Sequence, residues 1–320
     1  MTQETLVSER MDEVDTALRR AQEQVDDVLG GKASSPVVKS FFDETTFTAS
    51  HIVSDPVTKK AAIIDSVMDF DQAGARTSFQ NADKLIEHVR AEKLSVEWLL
   101  ETHAHADHLS AAPYLQQQLG GKLAIGSQIR TVQEVFGKLF NEGNSFPRDG
   151  SQFNRLFDDG DGFRIGGIEA IVLHVPGHTP ADIAYVIGDA AFVGDTMFMP
   201  DYGTARCDFP GGDARQLYGS IQRLMALPCE TRVYLCHDYQ APERPYYAWE
   251  TTIGAERSSN IHVHDGVGEE QFVAMRGRRD AALEMPRLIL PSVQVNMRGG
   301  RLPEPEENGI SYLKLPVNAL

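Results

Sequence analysis

The sequence predicts an α+β protein built as an αββα sandwich, two mixed sheets packed face to face with helices on their outer faces. Three observations carry that expectation. Runs rich in β-branched and aromatic residues come in clusters, at 37–65 and again at 163–194, with helical periods between and after them. The apolar runs are short and bounded by Gly, Pro, Asn or Asp, as strands between turns are. There is neither an internal repeat nor a clear interdomain linker, so one domain accounts for most of the chain.

Composition bounds the function. At 320 residues, with 42% hydrophobic and 24% charged residues, the chain can bury a large core. A net charge of −16 argues against a nucleic-acid footprint and disfavours anionic membrane surfaces. No apolar run approaches the roughly 20 residues of a spanning helix. The acidic start Met1–Thr5 has neither a basic nor an apolar leader segment, so a cytoplasmic location is expected. Three cysteines cannot make a disulfide framework; Cys229 and Cys236 are expected to be reduced, buried and inert.

The elements come in this order. Residues 6–29 form an amphipathic helix, with Val14, Leu18, Ala21, Val25 and Val28 on one stripe and Gly30-Gly31 as its stop. It is an arm on its own domain or a contact in a possible homodimer. Residues 37–42, 46–53 and 61–65 read as strands, and Asp65 ends the last. Residues 80–93 are a helix and 96–102 a buried strand. A helix capped by Ser110, with Pro113 in its first turn, ends at Gly120-Gly121. A strand at 122–125, a helix at 128–140 and a long polar loop at 141–162 come next. Short strands at 163–165, 168–175, 183–187 and 190–194 precede a helix at 213–227 and a strand at 233–236. Helices are expected near 245–258 and 269–282, then an irregular Pro/Gly-rich tail. The domain boundaries are thus 1–36 for the helix and linker, 37–300 for the main domain and 301–320 for the tail.

The chemistry is concentrated at Thr102-His103-Ala104-His105-Ala106-Asp107-His108. Imidazole and carboxylate are the ligands of Zn, Fe and Mn. His103 and His105 alternate along an extended segment and share a side, whereas Asp107 and His108 lie at the turn into the next helix. Three further strand ends carry ligand types: His178 in Pro176-Gly177-His178-Thr179-Pro180, Asp195 in Gly194-Asp195-Thr196, and His237 after Leu235-Cys236. One such residue would be an ordinary loop polar group. Five His and two Asp, all on loops after buried strands, point to a metal centre. Asp65, an acid at a strand end, suits orientation of a metal ligand. His51, His88, His174, His262 and His264 match no ligand position, and a surface loop is expected for the last two.

The order T-H-x-H-x-D-H, P-G-H-T, G-D-T and a late strand-end His resembles the metallo-β-lactamase superfamily. Within it, the segments Gly203–Phe209, His237-Asp238-Tyr239 and Val295–Gly300 resemble persulfide (sulfur) dioxygenases more closely than glyoxalase II. The resemblance covers about residues 37–300 and implies the αββα sandwich. It also implies two uses of one donor set. A persulfide dioxygenase binds one Fe(II) through His103, His178 and Asp195, with His105, Asp107, His108 and His237 forming hydrogen bonds around it. It oxidises glutathione persulfide or a related small persulfide, with O₂ as co-substrate, to sulfite and thiol. A glyoxalase II-like thioester hydrolase instead holds two metals, one on His103, His105 and His178, the other on Asp107, His108 and His237, bridged by Asp195. The donors alone leave both open. Arg206 is a candidate for a substrate carboxylate, with an ion pair to Asp208 as the alternative. Tyr239, two residues after His237, is a candidate contact to substrate sulfur. Cys207 is not expected to be a catalytic thiol.

Overall fold

The computed structural model describes the backbone of residues 3–319 and the side chains of 16–319. The first sheet has the order β1 (Val37–Asp43), β2 (Thr48–Ser54), β3 (Lys60–Ile64), β6 (Ser95–Leu100), β8 (Lys122–Gly126), β9 (Arg155–Phe157). A small sheet of β5 (Arg76–Ser78), β4 (Val67–Asp71) and β7 (Leu109–Ser110) lies beside it. The second large sheet runs β10 (Gly162–Ile165), β11 (Ile168–His174), β12 (Ile183–Ile187), β13 (Ala190–Phe192), β14 (Arg232–Tyr234), β15 (Glu250–Thr252). Both large sheets are mixed: β3, β6, β8 and β9 pair in parallel, as do β13 and β14, and the other pairs are antiparallel.

Strand alternation builds the layers. In β3, Ala62 and Ile64 enter the core between the sheets while Ala61 and Ile63 enter the core on the outer face. In β12, Tyr185 and Ile187 face inward, and Ala184 and Val186 face the opposite helices. A period of two therefore gives each strand two buried faces, the requirement of a sheet covered on both sides. Helices α2 (Gln80–Ala91), α3 (Ala112–Leu119), α4 (Ile129–Leu139) and α8 (Ile289–Asn296) cover the first sheet. Helices α1 (Gln3–Leu29), α5 (Ala214–Met225), α6 (Ile253–Ser259) and α7 (Glu269–Asp280) cover the second. This is the αββα sandwich the sequence predicts. No helix among the described residues is long and apolar enough to cross a membrane.

Several local expectations are corrected. Ser110 is not at the N-cap position of α3, which Ala111 occupies, but its Oγ still accepts from Ala112 N at 3.1 Å while donating to Glu101 Oε1 at 2.5 Å. Residues 245–249 are not helical; β15 precedes the shorter α6, whose cap is the Thr252 hydroxyl. The predicted irregular tail contains α8, buried nearly all round and so without the one-sided stripe that betrays a surface helix. Cys229 is exposed, since it lies in the loop between α5 and β14, whereas Cys236 is buried as expected. His262 is buried too, with its Nδ1 accepting from Thr204 N at 3.0 Å, and only His264 lies on the surface.

The stripe of α1 packs on its own chain. Ala17, Ala21 and Val25 are buried in the same core as Ile171 and Leu173 of β11; Val14 lies outside the described side chains. Gln24 Nε2 donates to Val186 O at 3.1 Å and Gly188 O at 3.0 Å. Deleting residues 1–30 uncovers that face of the second sheet. Apolar burial of this size is worth on the order of 3 kcal/mol, a fall in Tm of roughly 5–10 °C. Differential scanning calorimetry should find that fall while metal content at room temperature stays at the full-length level, because no candidate ligand lies in the deleted segment.

Candidate metal centre

The ends of five strands converge at one edge of the sandwich. β3 delivers Asp65, β6 delivers Glu101 to His108, β11 delivers His178, β13 delivers Asp195 and β14 delivers His237. Open α/β sheets put their sites at such strand ends because loops there are free to vary while the sheet stays rigid. Two glycines make the approach possible. Gly194 has φ +53° and lies where a Cβ would meet Thr102 Oγ1 at 2.7 Å. Gly177 has φ +144° and packs so tightly on α5 that a Cβ would sit 2.3 Å from the Leu217 backbone nitrogen.

All seven motif residues meet. His103, His178 and Asp195 bring one ligand atom each to within 4.8 Å of the others, and His105, Asp107, His108 and His237 form an adjoining group of the same compactness. All but Asp107 are buried. Each imidazole has one nitrogen engaged. His178 Nδ1 donates to Arg206 O at 2.7 Å. His105 Nε2 lies 3.0 Å from Asp65 Oδ1 and 3.3 Å from Glu101 Oε2. His237 Nδ1 lies 3.2 Å from Phe47 O, and His103 Nδ1 lies 3.0 Å from Thr102 Oγ1. Most of the other nitrogens make no hydrogen bond, although His237 Nε2 lies near the Asp107 and Asp195 carboxylates and His178 Nε2 lies 3.6 Å from Asp195 Oδ2. His103 Nε2, His105 Nδ1, His108 Nε2, His237 Nε2 and Asp195 Oδ1 are buried without a hydrogen bond. Buried polar atoms without a hydrogen bond are rare in proteins, and five gathered in one cluster are what a metal cation satisfies. The donor set of imidazole and carboxylate fits Fe, Zn or Mn.

The electrostatics divide the cluster. Burial, reinforced by the other imidazoles, drives His103 well below its usual value, so its Nε2 is a free lone pair. Burial pulls His105 the same way, but the Asp65 carboxylate overrides it and holds the ring well above the usual value. For His237, too, burial is outweighed, here by Asp107 and Asp195, whose oxygens lie 3.3 and 3.4 Å from Nε2. Asp107 resists its own burial and is held well below the ordinary carboxylate range by His237 and His108. Asp65 sits at φ +51° and also accepts Thr102 N at 2.8 Å and Thr102 Oγ1 at 2.9 Å.

A cavity of about 350 Å³ opens over His178, Asp195 and Asp107. That is the size of a small-molecule site. Phe47, Phe198, Tyr202 and Tyr239 line one wall, and the Tyr239 ring stacks on His237 at 5.6 Å between centroids. Burial raises the Tyr239 hydroxyl well above its usual value, so it stays protonated. Arg206 lines the cavity, but its fork is taken by Asp208 at 2.6 and 2.7 Å and by Glu284 O at 2.7 Å; the ion-pair alternative is the one found. Cys207 donates to Asp280 at 3.3 Å and burial pushes its thiol up to about 12, which leaves no thiolate at neutral pH.

Sequence reasoning missed other members. Glu101 stands at the end of β6, four residues before His105, a spacing that could have flagged it. Asn296 Nδ2 donates to His105 O and His108 O, both at 2.8 Å, and its Oδ1 accepts from Ser110 N. Arg279 and Arg287 line the cavity mouth, and neither guanidinium has an ion-pair partner among the described residues.

The metallo-beta-lactamase superfamily profile matches residues 46–237. A probable metallo-hydrolase of Burkholderia pseudomallei is 55% identical over 88% of this chain and 99% of its own length. Glyoxylase B2 of Dictyostelium discoideum is 48% identical over 88% of this chain and 97% of its own. The mitochondrial persulfide dioxygenase ETHE1 of Homo sapiens is 26% identical over 89% of this chain and 97% of its own. Among solved structures, ETHE1 from Myxococcus xanthus superimposes with a TM-score of 0.66 at 29% identity, covering 83% of this chain and all of that one. With its αββα fold and strand-end His/Asp cluster, this chain belongs to the metallo-beta-lactamase superfamily.

Proposed function

We propose that this protein is a mononuclear non-haem Fe(II) persulfide dioxygenase. It oxidises glutathione persulfide or a similar small persulfide: RSSH + O₂ + H₂O gives RSH, sulfite and two protons. The observation that carries this reading is the compact His103–His178–Asp195 group, of which His178 and Asp195 line the cavity. Two imidazoles and one carboxylate are the donor set of iron oxygenases, which leave positions open for co-substrates. The iron, when bound there, supplies redox chemistry toward dioxygen and an anionic sulfur. The likeness to the two ETHE1 proteins supports the same reading.

The chain's own residues do the rest. Asp65 and Glu101 fix His105, and Asp107 pairs with His237, so these groups brace the pocket wall as a charged, hydrogen-bonded frame. Phe47, Phe198 and Tyr202 exclude water from the reacting sulfur, and the protonated Tyr239 hydroxyl is a hydrogen-bond donor toward it. With Arg206 committed to Asp208, the substrate carboxylates fall to Arg279 and Arg287 at the mouth.

One observation favours a second reading. His105 Nδ1, His108 Nε2 and His237 Nε2 also make no hydrogen bond, and a two-metal site would satisfy them, as in a glyoxalase II-like thioester hydrolase; the Dictyostelium relative is named glyoxylase B2. One preparation in an oxygen electrode and in a thioester assay separates the two. Glutathione persulfide should drive O₂ uptake with sulfite formation, and S-lactoylglutathione should turn over at least about 100-fold less efficiently, a transition-state difference of roughly 3 kcal/mol. Thioester turnover without O₂ uptake establishes the hydrolase instead.

A further inference from the structure

We infer that the buried Arg276–Asp280 pair of α7 is a positioning device for the metal centre, acting on His178 through the backbone of residues 203–208. The inference rests on His178 as a metal ligand, whichever reaction the centre catalyses.

The chain of contacts is continuous. His178 Nδ1 donates to the carbonyl of Arg206, which fixes the ring's tautomer and aims Nε2 into the cluster. That carbonyl belongs to a segment without regular secondary structure, so something else must hold it. Cys207 N donates to Asp280 Oδ2 at 3.0 Å, and Cys207 Sγ donates to the same oxygen. Arg276 Nη1 donates to Thr204 O at 3.0 Å. Thr204 N donates to His262 Nδ1, and Asn260 Nδ2 donates to Gly203 O at 3.0 Å. The Arg206 guanidinium reaches Glu284 O. The backbone on both sides of the Arg206 carbonyl is thus held by side chains from 260–280, all beyond the 46–237 span that the superfamily profile matches.

The Arg276–Asp280 pair is unlike an ordinary i, i+4 pair on a helix surface. Arg276 is 2% and Asp280 5% exposed, with Nε and Nη2 at 2.8 and 2.6 Å from Oδ1. Burying two charges is costly, and a helix gains only a few tenths of a kcal/mol from such a pair on its surface. Here each partner also bonds the 203–208 backbone, Arg276 at Thr204 O and Asp280 at Cys207 N. A second face of the segment is closed sterically: Gly212 abuts it so closely that a Cβ would lie 2.4 Å from Cys207 O and 3.0 Å from His178 O. A shift of the Arg206 carbonyl therefore has to break the α7 contacts or collide with this loop.

The test uses full-length protein loaded with Co(II), whose ligand-field spectrum reads coordination geometry, and measures metal release to excess chelator. The double variant Arg276→Met/Asp280→Leu replaces the pair by apolar groups of similar volume, a change that buried ion pairs tolerate in stability. It should keep its circular dichroism, change the Co(II) spectrum and release metal about 10–100-fold faster than the parent, the usual cost of losing a group that orients a ligand. Asp280→Asn, which keeps the shape and one acceptor, should fall between the two and covers the case in which the double variant does not fold. His178→Ala is the reference. If His178→Ala loses metal while both α7 variants release it at the parental rate with an unchanged spectrum, the positioning role is refuted and the metal reading stands. If His178→Ala itself retains metal normally, the ligand premise and the inference fall together.

Discussion

His103→Ala, His178→Ala and Asp195→Ala should each lose most of their metal and at least about 1,000-fold in activity, while folding normally. In the one-iron reading each removes one of the three protein donors. His103 Nε2 and Asp195 Oδ1 are already without a hydrogen bond, so losing them sacrifices little, whereas His178→Ala also gives up the bond from Nδ1 to Arg206 O. The cost falls on metal affinity rather than on the fold. Atomic absorption and circular dichroism on the same samples check both halves of that statement. A variant that keeps full metal and activity removes its residue from the centre.

The second large effect is at Asp65. Its carboxylate accepts from Thr102 N, Thr102 Oγ1 and the His105 ring, all buried. Asp65→Ala leaves the His105 ring only its longer 3.3 Å contact to Glu101 and leaves a backbone N–H unpaired in the interior, a loss of roughly 3–5 kcal/mol that should show as poor soluble yield or a Tm lowered by about 10 °C. Asp65→Asn keeps the shape and should fold. The sign of the pH dependence comes from the direction of the shift. Asp65 is held below its usual value in the folded chain, although burial pushes the other way, by His105 and by the Thr102 donors. It therefore binds fewer protons folded than unfolded below about pH 4, and its contribution is present above that pH and lost as pH falls. Urea titrations of metal-free protein should show an acid limb of stability that Asp65→Asn flattens. An unchanged acid limb assigns it to other carboxylates.

Whether a feature was legible in the sequence depends on whether it is local. The sandwich and the strand-end His/Asp cluster were, because a buried strand announces itself by four or five apolar residues in a row, and the residues after it necessarily form a loop at the sheet edge. His103 to His108, His178, Asp195 and His237 all met where that logic puts them. The pairing of Arg206 with Asp208 was legible as one of two alternatives, since both residues lie two apart on one loop. The features that escaped are non-local. Helix α8 has no polar face to give it a period, because α8 is covered on every side. Asn296 at its end reaches back to residue 105, and nothing near either position signals the other. Arg276 and Asp280 look like a solvated helix pair, and only the fold buries them. His262 was expected on a surface loop for the same reason: its partner Thr204 lies 58 residues away in sequence.

The central claim is that one metal, not two, occupies this site, and the metal-to-protein ratio of Asp107→Ala and His237→Ala beside that of His103→Ala tests it most directly. In a one-iron enzyme Asp107 and His237 touch each other and not the metal. Their 3.3 Å pair braces the wall beside Asp195, so its loss should lower activity about tens-fold and leave most of the iron in place, against near-complete loss in His103→Ala. In a two-metal enzyme the same two changes empty the second position, and the ratio falls from two per chain to one or below. The parent should hold close to one iron per chain, Asp107→Ala and His237→Ala nearly the same, and His103→Ala almost none. Equal loss of metal from all three folded variants, or two metals per chain in active parent protein, contradicts the one-metal claim.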